Sequence, residues 1–278
     1  MAKKRLIFSL FYNDGGFMLS RNFRLQRAGS IEWLKTNYNF RKVSCSIDEL
    51  VILDVSRNEK NLSRFCEHIK SISEECFIPI ATGGGITSLE KAKMVINSGA
   101  DKLVVNSALF EIPDFVRQLV LTYGSQCVIA SLDAKKTSSG FDLYMNNGAR
   151  KVPLAFPEAI RHVSRLGIGE LYLNSIDKDG TGQGYMFELL GQLGGAVKVP
   201  VILAGGVGNW HHLLEGLQHG MVDAAATGNL FNFIGNGFPK ARAHLLESGI
   251  NLAKWMSTDF IDLKNCVTRS KDAALNDY

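Results

Sequence analysis

The sequence predicts a (βα)8 barrel, or TIM barrel, made of two similar halves. Eight short β-branched runs alternate with helical patterns over about 250 residues, which is the sequence form of that fold. A repeat at fixed spacing divides the chain into two four-strand halves, and matched glycine-rich turns follow strands in both. The alternation alone also permits an open doubly wound sheet. The repeat favours the barrel, because duplicated halves close naturally.

The eight strands are expected where runs of apolar and β-branched residues end in turn-forming residues. The first is RLIFSLF, which runs into the turn residues Asn13-Asp14-Gly15-Gly16. The predicted strands cover residues 5–11, 49–55, 78–83, 101–107, 126–134, 170–176, 199–205 and 222–228.

The repeat aligns residues 78–110 with residues 199–231 at an offset of 121 (205 − 84 = 121). The first and fifth strands align with one residue of slip, because Leu10 matches Leu132 (132 − 10 = 122). No linker of biased composition separates the halves. We therefore expect one barrel domain over residues 1–255, and residues 256–278 form a polar C-terminal extension.

Composition excludes several classes of function. The 278 residues include 31 basic and 27 acidic side chains, and a net charge of +4 is too small to indicate nucleic-acid binding. The five cysteines are scattered without a CxxC pair, and the six histidines form no HExxH motif, so we expect no metal and no cofactor. No signal peptide and no stretch of about 20 apolar residues is present, which predicts a cytoplasmic protein without a membrane segment.

Two pairs of loops carry the signals of phosphate binding. GGGITS (83–88) and GGVGN (205–209) each follow a strand and open a helix, where glycines admit an anion and backbone N–H groups bind it. NSAL (106–109) and TGNL (227–230) follow the next strand of each half. Two matched copies predict a ligand with two phosphates at opposite sides of the barrel mouth, although the glycines could also serve only tight turns.

Charged residues stand at both ends of the predicted barrel. After the sixth strand, Asp177 and Asp179 in IDKDGTGQGY could contact ligand hydroxyls or cap a turn, and spacing alone does not decide between them. Four charges of alternating sign stand at or near strand starts, and we expect them to pair inside the barrel, either as a functional feature or only for stability. These residues are Arg5, Glu49, Lys102 and Glu170.

Together with SLDAK (131–135), these motifs resemble the cyclase subunit family of imidazole glycerol phosphate synthase over residues 4 to 253. The resemblance implies a heterodimer with a glutaminase, whose ammonia passes through the barrel. The family uses that ammonia to make imidazole glycerol phosphate and an aminoimidazole carboxamide ribotide from a substrate with two phosphates. It implies two phosphate sites, one at Gly84, Gly85, Asn106 and Ser107 and one at Asp179, Gly180, Gly205, Gly206, Gly228 and Asn229.

The family's proton transfers use two aspartates at opposite strand ends, one acting as acid and the other as base. Asp133 matches one of them, whereas Phe11 occupies the place of the other and has no proton to transfer. A lysine of the family's first loop is replaced by Leu19, and Arg21 is displaced from it by two residues.

The four alternating charges match the gate where ammonia enters in the family. Asp101 matches a position that faces the glutaminase. The preferred interpretation is a divergent subunit that receives ammonia and passes it to an altered phosphorylated substrate or to a third protein, such as an amidotransferase of surface-polysaccharide sugar synthesis. One alternative is a working histidine-pathway cyclase in which Asp14 or Asp133 carries both proton transfers. Another is a non-catalytic ammonia conduit and scaffold.

Overall fold

A closed barrel of eight parallel strands forms the centre of the protein, and this confirms the predicted fold class. The computed structural model describes residues 2–254, so the predicted extension at 256–278 lies outside the described residues. Each strand pairs with its neighbours in chain order, and the eighth pairs with the first. The strands are β1 (Arg5–Asn13), β2 (Glu49–Asp54), β3 (Ile80–Gly83), β4 (Lys102–Val105), β5 (Val128–Thr137), β6 (Glu170–Ser175), β7 (Val201–Ala204) and β8 (Ala224–Thr227).

All eight predicted strands are present, and their ends differ for identifiable reasons. β3 and β7 begin later than predicted, directly after Pro79 and Pro200, which have no N–H group to donate to a neighbouring strand. β1 and β5 run further than predicted because the end of each pairs with an antiparallel strand outside the barrel. This strand is Gly16–Arg21 for β1 and Gly140–Met145 for β5. The turn after β1 has positive φ at Asp14 (43°) and Gly15 (81°), as a tight two-residue hairpin requires.

The two hairpins lie at the carboxyl ends of the strands, which we call the mouth of the barrel. The first pairs Gly16–Arg21 with Arg24–Gly29, and we call the segment Gly16–Gly29 the strap. The second pairs Gly140–Met145 with Arg150–Lys151. Each hairpin follows the first strand of a half-barrel, so the repeat extends to these additions.

Helices surround the barrel. The helix Leu89–Asn97 begins at Ser88, whose side chain accepts a hydrogen bond from the N–H of Lys91. The helix Trp210–Gln218 begins at Asn209, whose side chain accepts from the N–H groups of His211 and His212. The helices are α1 (Ile31–Asn37), α2 (Phe40–Val43), α3 (Leu62–Ser73), α4 (Leu89–Asn97), α5 (Ala108–Glu111), α6 (Pro113–Tyr123), α7 (Phe156–Ser164), α8 (Glu188–Gln192), α9 (Trp210–Gln218) and α10 (Gly237–Glu247), with short 3-10 turns at Ser125–Cys127 and Gly194–Ala196.

The strands bury both of their faces, so the protein has two apolar clusters. The larger one fills the space between strands and helices. The smaller one fills the lumen of the barrel with every second residue of the strands. Its members are Ile7, Val51, Ala81, Val104, Ile129, Tyr172, Ile202, Ala204, Ala224 and Ala226. No helix in residues 2–254 combines the length and the apolar character needed to cross a membrane.

Candidate functional site

At the amino ends of the strands, four side chains form a closed circuit of ion pairs, which we call the charged ring: Arg5, Glu49, Lys102 and Glu170. Arg5 lies 2.7 Å from Glu49 and 2.5 Å from Glu170. Lys102 lies 3.0 Å from Glu49 and 2.7 Å from Glu170. The structure therefore joins the four predicted charges into one network across the bottom of the lumen.

Burial and pairing act in opposite directions on the two acids of the charged ring. Burial raises the pKa of Glu49, whose side chain is only 2% exposed, although both cations oppose that rise. Burial works in the same way on Glu170, but hydrogen bonds and charges from Arg5 and Lys102 outweigh it and lower its pKa. Within the described residues, Oε1 of Glu49 has no hydrogen-bond partner. The charged ring thus keeps one buried acceptor free.

Asp101 lies beside the charged ring at the bottom of the barrel, on the exposed surface. Its carboxylate accepts a hydrogen bond of 2.8 Å from the backbone N–H of Ile80 at the start of β3. Asp223 does the same for Val201 of β7 at 2.9 Å. Asp101 therefore has a role in capping a strand, and its predicted contact with a partner stays a prediction.

The predicted phosphate loops line two cavities at the mouth. Cavity 1 is lined by Gly84, Gly85, Asn106 and Ser107, together with Asp133. Cavity 2 has the other predicted set on its walls. That set is Asp179, Gly180, Gly205, Gly206, Gly228 and Asn229.

Phe11, Tyr172 and Asn174 line both cavities, so the two meet above the lumen. The structure thus assembles each predicted set on one side of the mouth.

The glycine pairs adopt matching conformations in the two halves. Gly84 and Gly85 have φ of 112° and 79°, and Gly205 and Gly206 have φ of 89° and 108°. A Cβ at Gly84 would lie 2.2 Å from the carbonyl oxygen of Asp54, so a side chain there would collide with backbone. The two loops therefore depend on glycine for their shape, which exposes their backbone to a ligand.

Asp133 lies at the mouth between two amides. Its Oδ1 accepts a hydrogen bond of 3.0 Å from Asn174, and its Oδ2 accepts one of 3.2 Å from Asn106. Burial raises the pKa of Asp133 to about 7; the Asn174 hydrogen bond opposes that rise, and the charge of Asp179 adds to it. A carboxyl group with a pKa near neutrality suits proton transfer in either direction.

Phe11 occupies the equivalent end of β1, and its ring packs on the second predicted phosphate loop. A Cβ built at Gly228 would lie 2.6 Å from Cε2 of Phe11. Asp14 does not replace the missing acid, because its side chain is 81% exposed, lies 3.4 Å from Arg64 and lines neither cavity. Phe11 therefore gives the mouth an apolar wall opposite Asp133.

The strap crosses the mouth and is held by the loop after β6. Oδ2 of Asp179 accepts hydrogen bonds from Ser20 Oγ (2.5 Å) and from the N–H of Phe23 (3.0 Å). The neighbouring Asp177 accepts one of 2.7 Å from the N–H of Lys136. Both acids thus organise loops, and their predicted contact with a ligand stays a prediction. Burial raises the pKa of Asp179, against the hydrogen bonds from Ser20 and Phe23.

The strap also carries Leu19, which the resemblance places at the position of the family's lysine, and Arg21, which lies two residues further along the chain. Leu19 packs against the core and lines cavity 2. Arg21, which is exposed, lines the same cavity. Of the two, Arg21 alone brings a charge to cavity 2.

Sequence reasoning missed two cations and one lumen residue. Arg57 and Lys60 line cavity 1; Arg57 donates to the carbonyl of Phe23 (2.6 Å), and Lys60 pairs with Asp54 (3.3 Å). Nothing in their spacing indicated that they face the glycine loop. Tyr172 lies between Glu170 and Asn174, so its parity alone could have assigned it to the lumen. Across residues 2–254, no three His, Cys, Asp or Glu side chains converge in a way that could hold a metal ion.

The fold and the site together define a (βα)8 barrel protein with two glycine loops at its mouth and a charged ring at its base. A model of the family described as histidine biosynthesis protein matches residues 36–235. The chain is 41% identical over 269 residues to a provisionally named imidazole glycerol phosphate synthase subunit hisF2 of Parasynechococcus marenigrum, covering 95% of this chain and 100% of that protein.

Two further relatives share the name imidazole glycerol phosphate synthase subunit HisF. The protein of Chlorobium limicola is 36% identical and that of Chloroherpeton thalassium 37% identical, each over 251 residues, or 90% of this chain and 98% of the relative. The chain belongs to the histidine biosynthesis protein family, as a HisF-like member of the cyclase subunits of imidazole glycerol phosphate synthase.

Proposed function

We propose that this chain is a divergent cyclase-type subunit that receives ammonia from a glutaminase at the charged ring and delivers it at the mouth. The observation that carries the proposal is the contrast between the two ends of β1. Arg5 completes the circuit of ion pairs at the base, whereas Phe11 stands where the mouth needs a second proton-transfer group. The ammonia route is thus retained, and the chemistry at its exit is altered.

The charged ring supports the proposal that ammonia enters the barrel at its base. Each of its two cations contacts both acids across the base of the lumen, so one contact can break while every charge keeps a partner. Within the part of the chain that the structure describes, Oε1 of Glu49 is an unpaired buried acceptor that suits the N–H groups of ammonia. Asp101, on the surface beside the ring, is proposed to contact the glutaminase.

The cavities support a ligand with two anionic groups. The glycine loops at Gly84–Gly85 and Gly205–Gly206 lie on opposite sides of Asp133 and Phe11. Arg57 and Lys60 add positive charge to the first loop, and Arg21 adds it to the second. An anionic group at each loop would hold the middle of the ligand over the lumen, where ammonia emerges.

The contacts of the acids at the mouth support the proposal that ordinary cyclase chemistry is lost. Besides Asp133, the acidic side chains that line the two cavities are already engaged. Glu111 pairs with Arg150, and Asp54 pairs with Lys60. Asp177 and Asp179 hold loops, as described above. Removing a positioned proton-transfer group typically costs about 10²–10⁴-fold in rate, so Phe11 predicts weak cyclisation.

The decisive experiment is a cyclisation assay with an ammonium salt and the family's ribonucleotide substrate. The proposal expects a rate at least 100-fold below that of a HisF relative, and a rate equal to the relative's would refute it. Phe11→Asp then reports on the pocket: a large gain in cyclisation rate means that only the acid was lost, and no gain means that the pocket has changed.

The proposed acceptor of the ammonia is a third protein that amidates a nucleotide-linked sugar of a surface-polysaccharide pathway.

A second candidate is a working histidine-pathway cyclase, and one observation favours it. The pKa of Asp133, about 7, lets the same carboxyl group donate and accept a proton near neutral pH. This candidate predicts ordinary cyclisation that Asp133→Asn abolishes.

A third candidate is a non-catalytic conduit for ammonia. It predicts that Asp133→Asn leaves amidation unchanged while Lys102→Met disrupts glutamine-dependent transfer.

A further inference from the structure

A hydrogen bond crosses the lumen of the barrel between the charged ring and the mouth. The hydroxyl of Tyr172 on β6 lies 3.0 Å from Oγ of Ser9 on β1, and the two residues are 3% and 1% exposed. β6 and β1 are not neighbours, because β7 and β8 lie between them on one side and β2 to β5 on the other. The contact is therefore a bar across the interior, which we call the inner barrier.

The inner barrier separates two different environments. Below it, Ala81 pairs in register with Lys102 of the charged ring, and Ile7 pairs with Glu49. Above it, Tyr172 lines both cavities of the mouth, while Ala81 and Ile7 line neither. The tyrosine ring thus forms part of the floor of the mouth, together with Val104, Ala204 and Ala226, and it separates the cavities from Ile7 and Ala81.

The lumen around the tyrosine is built to hold a large ring. Four of its ten lumen residues are alanines, at positions 81, 204, 224 and 226, and they provide the space that one bulky side chain occupies. Burial also raises the pKa of Tyr172 above its ordinary value, against the hydrogen bond that it shares with Ser9, so the hydroxyl stays neutral. The inner barrier therefore carries no charge, as suits the passage of an uncharged molecule.

We propose that Tyr172 and Ser9 form an internal gate, distinct from the charged ring, that must open for ammonia to pass from the lumen to the mouth. Opening breaks one hydrogen bond and turns two hydroxyl groups toward the passing molecule, which can both donate to them and accept from them. The ammonia in this inference rests on the proposed function. The closure of the lumen by the inner barrier does not, and it can be tested alone.

The closure test uses a reporter cysteine below the inner barrier. Ala81→Cys places a thiol in the lumen, and its reaction with methyl methanethiosulfonate is followed by peptide mass spectrometry, which separates it from the native thiols. Tyr172→Phe keeps the ring and removes the hydroxyl, and Ser9→Ala removes the other partner. Each substitution should accelerate labelling about 2- to 12-fold. This is the factor by which the loss of one hydrogen bond typically increases the population of the open state.

Tyr185→Phe is the matched control. Tyr185 is also a buried tyrosine with one hydrogen bond, to the carbonyl of Ala226 (3.0 Å), but its ring belongs to the outer apolar cluster. It should leave the labelling rate unchanged. Labelling of the Tyr172→Phe and Ser9→Ala proteins at the rate of the control would overturn the inner barrier.

The role of the gate is tested in the complex with the glutaminase and the amidating acceptor protein. Tyr172→Phe should raise the ratio of the rate supported by glutamine to the rate supported by ammonium salt, since bulk ammonia reaches the mouth without crossing the inner barrier. Equal effects on both rates would overturn the gating role. A complex in which glutamine supports no amidation would refute the proposed function, while the labelling result would still decide the closure.

Discussion

Removing Lys102 should expose how strongly the charged ring is coupled. Lys102 contacts both acids, at 3.0 Å from Glu49 and 2.7 Å from Glu170. Lys102→Met leaves two buried carboxylates to share Arg5 alone. Breaking a buried ion pair by deleting one partner typically costs about 3–5 kcal/mol, because it leaves a charge without compensation. We expect a loss of that size in the free energy of unfolding at pH 8, measured by urea denaturation.

The loss should depend on pH with a definite sign. Without Lys102, the pKa of Glu49 rises further above its value in the unfolded chain, since a cation that opposed the effect of burial is gone. A raised pKa in the folded state makes stability fall as pH increases, because the folded protein must then give up a proton that it binds more tightly than the unfolded chain does. The difference between variant and wild type should therefore grow from pH 5 to pH 8.

Lys151→Met is the control for this experiment. Lys151 lies 2.8 Å from Asp142, but its side chain is 56% exposed, so water compensates the loss of its partner. Its removal should change the free energy of unfolding by no more than about 0.5 kcal/mol. A Lys102→Met protein as stable as this control at pH 8 would show that the charged ring is not an energetically coupled network.

Three further predictions concern the mouth. Asn174→Leu removes a hydrogen bond that holds the pKa of Asp133 down, so a carbon-13 NMR titration should find it above about 7, and an unchanged or lower value would contradict the geometry. Asp133→Asn should increase the free energy of unfolding relative to wild type, and this gain should be larger at pH 8 than at pH 5, because the wild type ionises a buried acid over that range. Urea denaturation curves that give the same gain at both pH values would argue against this reasoning. Gly228→Ala should destabilise by about 1–3 kcal/mol through contact with Phe11, and a similar loss in a Phe11→Ala background would rule out that contact as the cause.

The sequence predicts the barrel well because the information is local. Each strand is a short apolar run, and the repeat supplies a second copy of every half-barrel feature. The charged ring could be predicted for a similar reason, since residues at strand starts share one end of a closed barrel. What local information lacked was pairing across long distances, such as the contacts of Asp179 with Ser20 and Phe23, residues more than 150 positions away.

The strap and the inner barrier show why those features were missed. Residues 16–29 carry three arginines and little apolar alternation, so their hairpin is stabilised by the loop after β6 rather than by their own pattern. The inward direction of Tyr172 follows from parity, but its partner Ser9 follows only from the closed order of strands. A residue's direction can be predicted from sequence, whereas its partner requires the tertiary structure.

The two ends of β1 should be energetically independent, and this can be measured. Arg5 and Phe11 are six residues apart on one strand, or about 20 Å at the rise of an extended chain. Sites farther apart than 7–10 Å, without shared partners, usually change stability additively within about 0.5 kcal/mol. In a double-mutant cycle, Phe11→Asp combined with Arg5→Met should therefore show a coupling energy below that value. A larger coupling would mean that the mouth and the charged ring communicate through the lumen, and the inner barrier at Tyr172 would then be the first contact to examine.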